Sequence, residues 1–96
     1  MKVIFEPTDR FSDLPSNYQD AAREYLIGRE FDSPVEGLRS LEEQDKYRDV
    51  KFYVGKVSLS PKQLPAIVTR VPITVLLSDN KHSPYEIDCL VAKVKN

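Results

Sequence analysis

Ala66-Ile67-Val68-Thr69-Arg70-Val71-Pro72-Ile73-Thr74-Val75-Leu76-Leu77 is the stretch whose reading decides the fold class. Successive side chains of a strand point to opposite faces, so Ile67, Val71, Ile73, Val75 and Leu77 share one face and Val68, Arg70, Thr74 and Leu76 the other. A bilayer span needs about 20 apolar residues, and this stretch is shorter and broken by Arg70 and Pro72. Proline brings no backbone donor, which predicts an edge strand or a bulge at Pro72. Outward from it, Val50, Phe52 and Val54 share one parity and Val57 and Leu59 the other, so a bulge at Gly55-Lys56 would return all five to one face. Ser60-Pro61-Lys62-Gln63-Leu64-Pro65 reads as a connection and Ser78 to Pro84 as a polar turn. Tyr85 to Lys95 reads as a closing strand with Ile87, Cys89 and Val91 against Glu86 and Asp88. Val, Ile and Thr number 13 from residue 50 onward and five before it, which places the sheet in the second half.

The first half is helical after a short strand, Lys2 to Glu6, ended by Pro7. Ser16 with Gln19 fits a capping box, and Tyr18, Ala21, Ala22, Tyr25 and Leu26 form the buried face of a helix that stops at Gly28. Ser33-Pro34-Val35-Glu36 places an N-cap hydroxyl, a proline at the first helical position and a capping-box glutamate in order. Val35, Leu38 and Leu41 supply that second helix with an apolar stripe, and a solvated stretch runs on to about Tyr47. Gly37 weakens it by up to about 1 kcal/mol relative to alanine. The expected fold is α+β in the order β-α-α-β-β-β, two amphipathic helices packed on one face of a small, mainly antiparallel sheet. Periodicity leaves the position and direction of the first strand open.

With 96 residues, the chain reads as one α+β domain spanning residues 1–96. A 41% apolar, 30% charged composition predicts a folded rather than disordered chain. One cysteine, Cys89, and one histidine, His82, exclude an intrachain disulfide framework and a four-ligand zinc site. The apolar run at the N-terminus is too short for a signal peptide, and with the unpaired cysteine this predicts a soluble, cytoplasmic protein without membrane contact. Gly-x-Gly-x-x-Gly and phosphate-loop patterns are absent, so neither cofactor nor metal is expected.

Asp79, His82, Glu86 and Asp88 are the one group of titratable residues close in sequence. They could do acid-base work if they converged, but Glu86 and Asp88 on one strand face read as solvated charges. Cys89 among apolar residues reads as a buried, inert thiol. No catalytic residue is therefore assigned, and enzymatic activity is not expected.

Two binding readings remain. Lys51, Tyr53, Lys56, Arg70 and Lys93 could form a sheet face on which lysines meet phosphates and rings stack on bases, although spread cations are usually a solvated surface. The acidic helical face, with Glu36, Glu42, Glu43 and Asp45, could steer toward a basic protein, and Ile73-Thr74-Val75-Leu76-Leu77 could expose a sheet edge for a partner or for a homodimer. That last run also reads as plain core. The element order resembles that of small bacterial ribosome-associated RNase toxins, which also run strand, two helices, antiparallel sheet. Such toxins are typically basic whereas this chain carries a net charge of −1, and no residue is carried over. The leading expectation is a small non-enzymatic protein-binding regulator or inhibitor. A nucleic-acid-binding domain and a small RNase-like toxin or hydrolase stand as alternatives. Residues 1–49 hold 7 basic and 12 acidic side chains and residues 50–96 hold 7 and 3, so separate helix and sheet layers would be oppositely charged.

Overall fold

A computed structural model of the chain describes residues 2–55, 70–78 and 84–95. The strand β1 (Lys2–Pro7) leads through a 3-10 turn (Phe11–Asp13) into helix α1 (Ser16–Tyr25), and a two-residue strand β2 (Glu30–Phe31) precedes helix α2 (Pro34–Glu42). A second 3-10 turn (Asp45–Tyr47), strand β3 (Tyr53–Val54), strand β4 (Arg70–Leu77) and strand β5 (Tyr85–Lys95) complete it. The α+β class and the antiparallel sheet follow the expectation, with β2 added. Two residues carry no periodicity, so β2 was invisible to pattern reading. Lys56, Val57, Leu59, Ile67, Val68, Asp79, His82 and the two-proline connection lie outside the described residues.

The sheet runs β2-β1-β5-β4-β3, every neighbour antiparallel. The first strand is thus interior, bonded to β5 on one side and β2 on the other. β4 is interior as well, which corrects its reading as an exposed edge; among the described residues the edges are β2 and β3. Pro72 is tolerated there because its missing donor points toward β3 and not toward the long β5 ladder, and among the described residues no β3 pair reaches it. The Gly55 N–H donates to the Pro72 carbonyl at 2.7 Å. A strand residue's N and O point to the same neighbour, so the donor that Pro72 lacks falls on the β3 side. Gly55 permits the approach, since a Cβ on it would lie 3.2 Å from that carbonyl oxygen and 2.9 Å from Thr74 Cγ2.

The described bulge lies in β5. Ile73 pairs with Leu90 but Thr74 pairs with Asp88, which leaves Cys89 as an extra residue. The extra residue switches parity, so Ile87 and Cys89 face the core before it while Leu90 and Ala92 do so after it. Val91 consequently moves to the opposite face, in register with Glu6 and Pro72, correcting its placement beside Ile87 and Cys89. Ile73 and Val75 are buried on the expected face of β4, with Val71 and Leu77 packed against the same core.

Helix α1 buries Ala21 and Ala22, and Leu26 at its end, with Tyr18 and Tyr25 packed alongside. Its capping box does not form. Pro15 takes the cap position, and Gln19 Nε2 donates instead to the Leu14 carbonyl at 2.8 Å. Gly28 ends the segment with a φ of 81°. In α2 the predicted cap holds: the Glu36 N–H donates to Ser33 Oγ at 3.1 Å, and the Asp32 N–H donates to Glu36 Oε2 at 3.1 Å. Its buried face is Gly37, Leu38 and Leu41, whereas Val35 is exposed, because 100° per residue turns it roughly a third of a turn away. Tyr47 is buried rather than solvated.

Helix α2 touches both edge strands, β2 and β3. Five flat strands would span about 19 Å at 4.8 Å apiece, and a nine-residue helix is only about 13 Å long. The sheet therefore curls around the helix, helped by the local twist of the Cys89 bulge in its central strand.

Candidate functional site: a groove between the second helix and an edge strand

The curl leaves a groove where α2 meets β3. Its volume is about 240 Å³, and Val35, Leu38, Arg39, Glu42, Phe52, Tyr53 and Val54 line it. Leu38 and Phe52 are buried and make the floor. Val35, Tyr53 and Val54 remain 53%, 51% and 44% exposed, three of the five large apolar side chains described as exposed. Lone exposed apolar residues are common, but Val35 and Val54 lie together beside one depression on the helix side, with Tyr53 at its rim on the other face of β3. Phe52 is held in place edge-on against Tyr18, ring centroids 5.6 Å apart, so the floor is anchored to α1.

The four predicted acidic residues separate by role. Glu42 lines the groove. Glu43 closes the helix and Asp45 opens the following turn, both exposed, with Asp45 3.9 Å from Arg48. Glu36 is committed to capping its own helix. Nothing in the sequence marked the groove itself, because Val35, Phe52 and Val54 all read as core by spacing.

The nucleic-acid set is partly assembled. Register places Tyr53 with Thr74 and Arg70 with Lys93, so Tyr53, Arg70 and Lys93 share the face of the sheet away from the helices. Lys51 is exposed nearby in sequence, and Lys56 lies outside the described residues. Among the described residues the face is not a basic one. Lys93 Nζ is 2.8 Å from Glu6, Lys95 pairs with Glu30, and exposed Glu86 and Asp88 stand on β5. Lys2 pairs with Asp32, whose carboxyl is thereby held below the usual range. Among the described residues the separate acidic and basic layers therefore do not form, because β1 and β2 bring the first half's acids to the sheet's cations.

A second depression of about 520 Å³ is lined by Asn17, Asp20, Arg23, Glu24, Lys46 and Tyr47. Its charges are satisfied internally. Tyr47 Oη donates to Glu24 Oε2 at 2.5 Å and Lys46 Nζ lies 3.4 Å from the same oxygen. The Tyr47 hydrogen bond lowers the Glu24 pKa, and the same bond raises that of Tyr47. This cluster pins α1 to the turn after α2.

No group of three metal-ligating side chains occurs among the described residues. Glu86 and Asp88 are exposed, while Asp79 and His82, their would-be partners in acid-base chemistry, lie outside the described residues. Cys89 is buried and its pKa is pushed up to about 12, chiefly by burial, so it is no thiolate nucleophile at neutral pH. Among the described residues no helix is long and apolar enough to cross a membrane. Comparison with known proteins finds no matching family, curated protein or solved structure.

Proposed function

We propose that this chain is a non-enzymatic protein-binding module that regulates or inhibits its partner from the cytoplasm, using the edge formed by β3 and the acidic end of α2. The observation that carries the reading is the exposed pair Val35 and Val54 over the buried Leu38 and Phe52, with Tyr53 at the rim, on a strand that is an edge among the described residues. Full burial of an exposed aliphatic side chain is worth about 1.5–3 kcal/mol, and Val35 and Val54, already about half buried, have roughly half of that left to gain each, together enough for a measurable interface anchor. The carboxylate of Glu42 in the groove lining, with Glu43 next to it in sequence, favours a basic partner and raises its association rate at low salt.

The experiment compares proteins captured from a native extract by the wild-type chain and by a Val35→Asp, Val54→Asp variant, both confirmed folded by circular dichroism. Proteins retained by the first and lost by the second support the reading. Identical capture profiles overturn it. Steeply salt-dependent micromolar binding of single-stranded RNA by the wild-type chain, with no groove-dependent protein capture, would replace it by the nucleic-acid reading.

A further inference from the structure

We infer that the occupant of the groove is an extended segment of a partner protein, laid beside β3 as a sixth strand, with an apolar side chain toward α2 and Lys or Arg flanking it. This rests on the protein-binding reading and specifies how the partner is held.

The backbone supplies the first argument. Tyr53 pairs with Thr74 and Val54 with Ile73, and the Gly55 N–H bonds the Pro72 carbonyl. Hydrogen-bonding directions alternate along an antiparallel strand, so Tyr53 and Gly55 turn their amides toward β4 and Val54 turns its N–H and C=O outward. Among the described residues no strand lies beyond β3. An added strand would find one donor and one acceptor there at the spacing that strand addition uses.

Side-chain placement supplies the second. Val54, opposite the core residue Ile73, lies on the helix side, and Tyr53, opposite Thr74, on the other. A strand added beside Val54 must alternate likewise, one side chain entering between Val54 and Val35 over Leu38, its neighbours lying along the Tyr53 side. The size of the groove selects this occupant. At about 240 Å³ it falls below the 300–1,000 Å³ of small-molecule sites, yet it holds one or two aliphatic side chains. A docked helix, about 10 Å across, needs several anchors along its length, whereas the described part of β3 offers two residues. The charge sets the flanks, since Glu42 lines the groove and exposed Glu43 follows it, against Arg39 as the lining cation.

The test is selection of a displayed random-peptide library on the wild-type chain, followed by synthetic peptides carrying single backbone N-methyl groups. The expected result is a consensus with apolar residues two apart flanked by Lys or Arg. One N-methyl position should abolish binding at least tenfold while the adjacent position changes it little, as alternate outward and inward amides require. Val54→Asp should weaken the selected peptide about tenfold or more, and Glu42→Lys should weaken basic-flanked peptides by about two- to fivefold. Helical apolar spacing, a flat N-methyl scan or indifference to Val54→Asp would overturn the strand-addition geometry. If groove-dependent capture from extract persists in that event, only this inference fails; if capture is also lost, the module reading fails with it. Concentration-dependent self-association removed by Val54→Asp would overturn the foreign segment in favour of a second copy.

Discussion

The backbone of Gly37 lies directly against the ring of Phe5: a Cβ built on this glycine would sit 2.8 Å from both Cε1 and Cζ. The ring cannot move aside easily, because Phe5 is fully buried and meets Phe31 edge-on at a centroid distance of 5.6 Å. Helix propensity alone makes Gly37→Ala stabilising by about 1 kcal/mol, whereas forcing a methyl group into a packed core costs about 1–3 kcal/mol. The overlap decides the sign, so the expected outcome is a net loss of up to about 2 kcal/mol, read from urea denaturation. A gain in stability would show that α2 can lift off the sheet without cost.

The two helix starts respond differently to the same substitution. Ser33 Oγ accepts the Glu36 N–H, so Ser33→Ala removes a cap worth about 1 kcal/mol. Ser16 makes no cap bond and already lies inside its helix, so Ser16→Ala should change stability by less than about 0.5 kcal/mol. Equal losses at the two sites in thermal melts would contradict the cap assignment.

The Glu24–Tyr47–Lys46 cluster gives stability two pH limits. The Glu24 pKa is lowered below its ordinary 4.5 in the fold, so its contribution is full above that value and is lost as pH falls through the folded pKa. The pKa values of Tyr47 and Lys46 are raised above their ordinary 10.0 and 10.5, so their contributions are full below those values and are lost as pH rises through the folded ones. Tyr47→Phe removes the hydrogen bond and should flatten both limbs of the Tm-against-pH curve relative to wild type. Unchanged limbs would mean that the cluster does not link α1 to the turn.

Cys89 reports global rather than local opening. Its thiol is buried in the central strand, donates toward the Ile73 carbonyl at 3.6 Å and titrates only near 12. Reaction with an aromatic disulfide reagent at pH 8 should therefore be at least about a hundredfold slower in the native chain than in urea, limited by unfolding. A fast native reaction would place the Cys89 bulge in a frayed part of the sheet.

Local chemistry made some of this structure legible and not the rest. Ser33-Pro34-Val35-Glu36 declared a helix start because capping acts between residues three apart, and the structure keeps that bond. Ser16 and Gln19 have the same spacing, yet Pro15 took the cap and the Gln19 amide turned to the Leu14 carbonyl. The β4 alternation was readable, but its place inside the sheet was not, since that depends on a two-residue strand at Tyr53–Val54. For the candidate site, the acids Glu42, Glu43 and Asp45 and the ring of Tyr53 were visible as residue types. That Val35 and Val54 remain half exposed beside them required knowing how far α2 is rotated.

By itself the sequence determined the elements whose causes are local: the strand and helix periods, the glycine that ends the first helix, the proline and serine that start the second, and the shortage of metal and disulfide ligands. Only the tertiary structure decided the order of the strands, the parity switch in β5 and the exposure of Val35, because these depend on partners distant in the chain. The Cys89 bulge reverses the parity of β5, Gly37 seats α2 on Phe5, and β1 and β2 carry Glu6 and Glu30 to Lys93 and Lys95. The opposed charges of the two halves are interleaved by that pairing, and the apolar groove beside β3 is left as the surface to test.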